Sequence, residues 1–241
     1  MVGELKRFHI TAVLVNDYGD IPLLLAEIER RYKRRTVFIS GSAANYTPHQ
    51  EPQALQFIHE LSLELVKDKY SVINGFGLGV GSAVINGALD AIEQNPEQCS
   101  EDQLIMRPFP QVTTGGVELA ERWKRYRTKM LSLAGAAIFV FGNKLKPDPD
   151  NPQIMTVENA GGVRKEFEIA RERGLVVLPV GATGSIAQEL WQEVANDYDT
   201  FFPGFSPQIK KLFMSLGDNS RTLSQHRSTL IDILKELNQF S

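Results

Sequence analysis

The 241-residue sequence contains a single cysteine, Cys99, and four histidines that show no metal-ligand spacing. One cysteine excludes an internal disulfide and any multi-cysteine metal site, and we expect Cys99 to be an unreactive thiol in a reducing compartment. No window reaches the ~18 consecutive apolar residues of a membrane-spanning helix, and the N-terminus lacks the apolar core of a signal peptide. These absences predict a soluble, cytoplasmic protein with no metal centre and no membrane contact.

The sequence also lacks an excess of either charge. It has 26 Lys and Arg against 29 Asp and Glu, a formal net charge of -3 and a pI near 5.9. A surface built to bind DNA or RNA carries an excess of basic residues, so this balance argues against nucleic acid as a partner and leaves room only for a local basic pocket. Hydrophobic residues make up 42% of the chain, an ordinary value for a globular protein whose length suits one large domain with or without tails.

Short apolar runs alternate with helical patterns along most of the chain. Strands are predicted over residues 36–40, 70–74, 103–107, 136–141 and 175–180. Helices are predicted over residues 52–67, 82–93, 117–133 and 161–173. Repeated units of this kind imply right-handed crossovers, so the predicted fold class is α/β, a Rossmann-like doubly wound parallel sheet of about five strands with extra helices at both ends.

Two segments lie outside this alternation. Lys146 to Asn159 holds three prolines and several acidic or amide residues, which predicts an exposed loop between the fourth strand and its helix. Asn219 to Phe240 has apolar residues at helical spacing with Ser220 as a candidate cap, which predicts an amphipathic helix that docks on the body or on a second subunit. The predicted organisation is a tail over 1–34, a nucleotide-binding domain over 35–200 and a C-terminal helical extension over 201–241.

Glycines follow the first two predicted strands. Gly41 and Ser42 follow the first, and Gly75, Gly77, Gly79 and Gly81 alternate after the second. Because glycine has no Cβ, backbone N–H groups can approach an anion there, and the next helix adds its positive end. The run does not match G-x-G-x-x-G and lacks the lysine of a P-loop, which disfavours a plain Rossmann or ATPase site. The pattern predicts a nucleotide or phosphate site of unspecified purpose.

Charged residues surround a third glycine turn. Gly161 and Gly162 precede Arg164, Lys165, Glu166 and Glu168. A carboxylate here either interacts with the helix dipole or accepts a hydrogen bond from a ribose hydroxyl. Upstream, a basic run either forms a solvated helix face or clamps a diphosphate, for which arginine is suited by its bidentate geometry. That run comprises Arg122, Lys124, Arg125, Arg127 and Lys129.

Five blocks of sequence carry a family resemblance. The blocks FISGS, NGFGLGVGSAVINGAL, RYRTKMLSLAGAAIFVFGN, GGVRKEFEIA and LPVGATG, in this order, resemble the SLOG superfamily, named for its Smf/DprA and LOG branches. The resemblance covers about Arg35 to Trp191. Within the superfamily the chain resembles the STALD sensor domains that follow a sirtuin-type domain in effectors of Thoeris antiphage defence. Ile10 to Ile28 is similar to the tail that joins those two domains, so we interpret the sequence as part of a longer protein.

The resemblance implies a ligand sensor that has no catalytic residues, cofactor or metal of its own. Its ligand would be a cyclic ADP-ribose isomer that a TIR-domain partner makes from NAD, and binding would activate an attached sirtuin-type NADase within a homo-oligomer. Arg127 and Lys144 would pair with the phosphates of the ligand, and Glu166 would accept a hydrogen bond from a ribose hydroxyl. The pocket would be completed by Gly41, Ser42, Gly77, Gly79 and Val80, with weaker candidates at Arg125, Gly75, Gly162, Arg164, Lys165 and Glu168.

Two other functions stay open on the sequence. The LOG phosphoribohydrolases carry P-G-G-x-G-T-x-x-E where this chain has Ala160, Arg164 and Lys165 in place of proline, the third glycine and threonine. Large cations at the phosphate-cradling positions disfavour hydrolysis of a nucleoside monophosphate. The hydrolase pattern points to Glu168 rather than Glu166, so the choice of carboxylate stays open, as does the choice between Arg125 and Arg127. A DprA-like nucleic-acid binder is the third reading, disfavoured by the acidic net charge.

Overall fold

A computed structural model describes residues 17–110 and 118–239, together with residues 15, 112 and 116. The chain divides into two units, Met1–Tyr32 and Lys33–Ser241, and each is described by itself.

The described part of the first unit is helical. A 3-10 turn at Tyr18–Asp20 leads into helix α1 (Ile21–Arg34), whose last two residues already belong to the second unit. The side chain of Asp17 starts the turn by accepting a hydrogen bond from the backbone N–H of Gly19 at 2.7 Å. Within α1, one carboxylate, that of Glu27, pairs with two arginines one turn further on. Both pairs have the i,i+3 or i,i+4 spacing that supports an exposed helix.

The described residues of the second unit form seven strands. They are β1 (Thr36–Ser42), β2 (Ser71–Asn74), β3 (Leu104–Met106), β4 (Ala136–Phe141), β5 (Asn143–Pro147), β6 (Met155–Asn159) and β7 (Val176–Pro179). Five of them form a wholly parallel sheet in the order β3-β2-β1-β4-β7. Strand β4 is buried along its whole length, as expected for a continuously apolar strand covered on both faces. The predicted doubly wound α/β sheet is therefore confirmed.

The direction of strand order reverses between β1 and β4. From β1 the chain moves outward to β2 and β3, and it then returns to the other side of β1 to add β4 and β7. In open parallel sheets of this kind, the crevice beyond the carboxyl ends of the strands at the reversal point is where ligands bind. The topology therefore predicts a ligand site beyond the carboxyl end of β1.

The helices of the second unit follow the strands. They are α2 (Glu51–Lys67), α3 (Gly81–Gln94), α4 (Leu119–Leu131), α5 (Gly161–Glu172), α6 (Ser185–Asn196), α7 (Tyr198–Phe201), α8 (Pro207–Ser215) and α9 (Leu223–Gln239). Helix α2 shows why they pack on the sheet, because Phe57, Ile58, Leu61 and Leu65 all lie on its buried face. Helix α9 packs against α2 and α8, so the C-terminal segment is held on the body of this unit.

The segment Lys146 to Asn159 was predicted to be an exposed loop. Much of it instead forms an antiparallel hairpin. Strands β5 and β6 pair from Asn143 opposite Asn159 to Pro147 opposite Met155. The chain leaves the sheet for this hairpin through Gly142, which has a φ of 102°, and the N–H of Ala160 closes its neck by donating to the Gly142 carbonyl at 2.8 Å. The hairpin side chains are mostly exposed, so the sequence lacked the alternation of buried residues that identifies a strand.

The start of helix α9 also differs from the sequence prediction. The cap is Thr222 rather than the predicted Ser220. The Thr222 N–H donates to Oε1 of Gln225 at 2.8 Å, and the Thr222 hydroxyl accepts from the Gln225 N–H at 3.3 Å, which is a reciprocal capping arrangement. Ser220 instead donates to the carboxylate of Asp218 at 2.7 Å, within the turn before the helix.

His226, in the first turn of α9, is wholly buried. His226 has no exposed surface, and burial lowers its pKa to about 4, with the nearby charge of Arg221 adding to the effect. His49 acts in the same direction, while Asp218 opposes it. A protonated imidazolium would have to be desolvated at this position, so the folded chain holds His226 as a neutral ring at neutral pH.

We predict that His226 makes the fold sensitive to acid. An unfolded histidine binds its proton near pH 6.5, whereas folded His226 does so near 4, so stability falls as the pH is lowered through this window. The difference corresponds to roughly 3 kcal/mol in the free energy of unfolding. In denaturant titrations between pH 7 and 4, the slope of the free energy of unfolding against pH should be much smaller in His226→Leu than in the wild type. The matched variant His59→Gln, at a partly exposed histidine, should keep the wild-type slope, and an unchanged slope in His226→Leu would contradict the assignment.

Candidate functional site

A cavity of about 150 Å³ opens at the end of β1. Strand β1 supplies one wall with Ser40, Gly41 and Ser42, and the chain after β2 supplies Gly75 and Gly77. Helix α4 and the first turns of α5 close the other side. The complete lining is Phe38, Ile39, Ser40, Gly41, Ser42, Asn74, Gly75, Gly77, Phe109, Arg127, Ala160, Gly162, Val163 and Glu166. The cavity thus lies where the sheet topology predicts a ligand site.

Three polar side chains form a buried network in the cavity. The Ser40 hydroxyl donates to Oε2 of Glu166 at 2.6 Å, and Nε of Arg127 lies 3.3 Å from Oε1 of the same carboxylate. The side chains of Arg127 and Glu166 are 11% and 9% exposed, so this ion pair is shielded from water. The guanidinium also lies over the ring of Phe109, 4.8 Å from its centre. Arg127 is therefore held by a carboxylate and an aromatic face together.

Burial raises the pKa of the Glu166 carboxyl above its ordinary value, because desolvation outweighs the hydrogen bond from Ser40 and the charge of Arg127. A buried charge pair carries a large desolvation cost, and removing one partner would leave the other charge uncompensated. The network offers a ligand one cation, one carboxylate and one hydroxyl within a single small space. These groups match a phosphate and a sugar hydroxyl.

The glycine-rich loop after β2 lies directly on the end of β1. A Cβ placed on Gly77 would lie 2.0 Å from the carbonyl oxygen of Gly41, and one on Gly79 would lie 2.0 Å from that of Ala43. Gly79 also has a φ of 72°, which a glycine adopts without strain. The backbones are joined by a hydrogen bond from the Ala43 N–H to the Leu78 carbonyl at 2.7 Å. The glycines are thus required by close approach of two backbones.

Two buried asparagines, neither of them predicted from the sequence as a site residue, hold the loops around the cavity. Asn74 ends β2, donates to the Ile39 carbonyl at 2.9 Å and accepts from the Phe76 N–H at 2.6 Å. It therefore fixes the glycine-rich loop to β1. A lone asparagine at a strand end carries no sequence signal of this role, because the same residue is common in ordinary turns.

Asn143 performs a similar task at the end of β4. Its Oδ1 accepts from the N–H groups of Ala44 and Asn45, and its Nδ2 donates to the Asn45 carbonyl and the Ser185 hydroxyl. Its own carbonyl accepts from Ser42 at 3.0 Å. All the hydrogen-bonding capacity of the buried Asn143 side chain is used, so it connects β1, the base of the hairpin and the start of α6.

Several predicted residues meet in the cavity. They are Gly41, Ser42, Gly77, Arg127 and Glu166, together with the weaker candidates Gly75 and Gly162. A Cβ on Gly162 would lie 3.0 Å from Nη2 of Arg127, so this glycine makes room for the guanidinium. Gly79 and Val80 belong to the same loop without lining the cavity, and Val80 is wholly buried. Ser40 also lines the cavity and was not among the predicted site residues, although it belongs to the FISGS block.

The structure distinguishes the paired candidates that the sequence left open. Glu166 lines the cavity, whereas Glu168 lines a separate groove of about 650 Å³ between α4 and α5. Arg127 lines the cavity and also reaches that groove, whereas Arg125 pairs with Glu121 on the exposed side of α4. Of each pair, Arg127 and Glu166 are the residues that line the cavity.

Arg164 and Lys165 do not face the cavity, which corrects the expectation that large cations occupy its phosphate-cradling positions. Arg164 turns towards helix α6, where it pairs with Glu189 and Glu193. Lys165 lines the groove between α4 and α5. Both follow Gly162 on a helix, and the 3.6-residue period turns them away from the face that carries Val163 and Glu166.

Lys144 stands apart from the cavity. It lies on β5, where its ammonium group is 3.1 Å from Glu158 of β6 and about half exposed. Its backbone neighbour Asn143 contacts the site through Ser42. Contact of Lys144 with a ligand therefore stays a prediction.

Metal and membrane sites find no support in the part of the chain that the structure describes. Those residues contain no group of three or more His, Cys, Asp or Glu side chains arranged to hold a metal ion. They also contain no helix with the length and apolar character needed to cross a membrane. Cys99 is buried and unpaired with another cysteine, with its Sγ 3.7 Å from the Val66 carbonyl.

Comparison with known proteins identifies similar sequences over almost the whole chain. Residues 20–237 match the family model of STALD, described as the Sir2- and TIR-associating SLOG family. Proteins named NAD(+) hydrolase ThsA are 40% identical over 236 residues in Bacillus cereus (strain MSX-D12) and 43% identical over 237 residues in Cytobacillus dafuensis. Each alignment covers 98% of this chain but 47% and 46% of the relative. The chain therefore spans about half the length of the curated relatives it matches.

We predict that the contact between the glycine-rich loop and β1 tolerates no side chain. Gly77→Ala would place a Cβ 2.0 Å from the Gly41 carbonyl oxygen, so it should lower the free energy of unfolding by about 3 kcal/mol in denaturant titrations. Gly161→Ala is the matched control, because no atom lies within 4 Å of its added Cβ. That variant should change stability by less than about 1 kcal/mol, in the stabilising direction. Equal stability of the two variants would disprove the close contact.

Proposed function

Because this chain belongs to the Sir2- and TIR-associating SLOG family, we propose that it is a regulatory domain that senses a nucleotide signal. The ligand we propose is a cyclic ADP-ribose isomer made by a TIR-domain partner, and its binding activates an attached sirtuin-type NADase in antiphage defence. The membership confirms the predicted SLOG resemblance. The relatives named NAD(+) hydrolase extend well beyond the matched half, which supports a hydrolase domain outside the present chain.

The observation that carries the proposal is the buried network of Ser40, Arg127 and Glu166. In the proposed complex, Arg127 pairs with a ligand phosphate and Glu166 accepts a hydrogen bond from a ribose hydroxyl. Support comes from the position of both groups in one cavity at the sheet's reversal point, beside backbone N–H groups of the glycine-rich loop. Charge-assisted bonds in a shielded site are the strong ones, so these two residues would dominate affinity.

A sensor also needs a route from its ligand to its partner. A ligand shifts an equilibrium only if it binds one conformation or assembly better than another. Arg127 supports such a route, because its side chain reaches both the cavity and the outer groove between α4 and α5. In the proposed mechanism, a ligand phosphate changes the position of Arg127 and thereby alters packing between subunits of a homo-oligomer.

A nucleotide N-glycosidase is the second candidate, and one observation favours it. Burial raises the pKa of Glu166, as in carboxylic acids that protonate a leaving group. Glycosidic hydrolysis in many enzymes uses a second carboxylate as base or nucleophile. Glu166 is the sole carboxylate among the described residues that line the cavity, and its partner is Arg127. We therefore place this function second.

We predict that the chain binds a cyclic ADP-ribose isomer and returns it intact. Isothermal titration calorimetry with cyclic ADP-ribose isomers, ADP-ribose, NAD and AMP, followed by chromatography of each mixture, measures affinity and turnover together. Preference for one cyclic isomer without any product supports the sensor. Release of free base from AMP would establish the hydrolase instead, and binding of none of the four would overturn both.

We predict that Arg127→Ala weakens binding of the preferred cyclic isomer roughly 10- to 150-fold, since it removes a charge-assisted contact in a shielded site. Arg125→Ala on the same helix is the matched control and should bind as the wild type does, because Arg125 is 68% exposed. Glu166→Gln should also weaken binding, and Lys144→Ala should have a smaller effect, as its ammonium group is half exposed. Thermal unfolding of each variant separates lost binding from lost folding. Wild-type affinity in both Arg127→Ala and Glu166→Gln would remove the pocket assignment.

A further inference from the structure

The cavity is too small for a whole nucleotide. Its volume of about 150 Å³ falls below the ~300–1,000 Å³ of pockets that enclose a complete small-molecule ligand. Glu166 and Arg127 line it, so a sugar and one phosphate bound to them would take up the available space. Under the proposed function, the base of the ligand must therefore lie outside, against the rim.

The glycine-rich loop that lines the cavity also carries two exposed apolar side chains. Gly75 and Gly77 line the cavity, and the residues that alternate with them, Phe76 and Leu78, are 55% and 65% exposed. The glycines face inward because their missing side chains allow close contact with Phe109 and Gly41. The loop whose glycines line the cavity therefore exposes these two apolar side chains to solvent.

The backbone of Phe76 is held in place from two sides. Its N–H donates to Oδ1 of Asn74 at 2.6 Å, and the start of α3 packs on it so closely that a Cβ on Gly81 would lie 2.7 Å from the Phe76 Cα. Its φ is 61°, in the left-handed region that glycine adopts easily and a bulky residue does not. A phenylalanine at this position strains the backbone while more than half of its surface stays in water, so folding does not account for it.

Given the nucleotide function proposed above, we infer that the exposed ring of Phe76 is the stacking surface for the ligand's base, at the mouth of the cavity. A base is flat and apolar on both faces, and stacking on a rigid aromatic ring is its usual mode of recognition outside a helix. The Arg127 guanidinium, already against the ring of Phe109, would bind the phosphate that joins the base-bearing part to the buried sugar. Stacking is tolerant of base identity, so this subsite selects the position of the base relative to the sugar.

The test is to remove the ring without disturbing the loop. Phe76→Gly keeps a residue that adopts a φ of 61° without strain, so its unfolding temperature should equal or exceed that of the wild type. Its affinity for base-bearing probes, the cyclic ADP-ribose isomers and ADP-ribose, should fall roughly 5- to 100-fold in calorimetry. Its affinity for ribose 5-phosphate, which has no base, should be unchanged. Phe76→Trp should bind the base-bearing probes at least as tightly as the wild type.

Leu145→Ala serves as the control for loss of an exposed apolar side chain, because Leu145 is 48% exposed on the hairpin. It should leave every affinity unchanged. A second check is the NMR spectrum of bound ADP-ribose, in which stacking moves the base protons upfield in the wild type and not in Phe76→Gly.

Three outcomes overturn the inference in distinguishable ways. If the wild type binds the base-bearing probes and Phe76→Gly binds them equally well, the base subsite is wrong and the proposed function stands. If Phe76→Gly changes sedimentation from dimer to monomer with unchanged nucleotide affinity, the ring is a contact between two copies of this chain. If the wild type binds no nucleotide, the proposed function fails and the subsite with it.

Discussion

The backbone of the glycine-rich loop lies so close to the end of strand β1 that no side chain fits between Gly77 and the Gly41 carbonyl. This contact fixes the position of the loop, and the loop in turn forms one wall of the cavity and starts helix α3. It also leaves Phe76 facing outward. Because the two backbones are joined directly, the shape of the site depends on the register of the sheet itself, and mobile side chains contribute little to it.

The buried pair of Arg127 and Glu166 has a different physical role. The desolvation cost of a shielded ion pair can exceed its Coulombic gain, so the pair is weak evidence for stability. The hydrogen bond from Ser40 and the ring of Phe109 compensate some of that cost and hold both charges in fixed positions. A ligand phosphate could take the place of the carboxylate beside Arg127, and a ligand hydroxyl could take the place of the group that Glu166 contacts. An ion pair with only a structural role would not need to allow this exchange.

The sequence predicts the parts of the fold in which local pattern and burial agree. Strand β4 is apolar throughout and buried throughout, and glycines at the ends of β1 and β2 line the cavity. The hairpin was missed because its strands are stabilised by pairing with each other rather than by a core. The orientation of Arg164 depends on carboxylates of α6 that are distant in sequence, and no pattern near residue 164 contains that information.

A hydrogen bond from the Ala160 N–H to the Gly142 carbonyl closes the neck of the hairpin, next to the pairing of Asn143 with Asn159. The chain leaves the body and returns at almost the same point. The entropic cost of closing this loop therefore depends only weakly on the length of the hairpin beyond the neck. Changes of length or sequence in the outer hairpin should therefore leave the cavity intact. Substitutions in the outer hairpin can therefore change what this projection touches while the cavity keeps its shape.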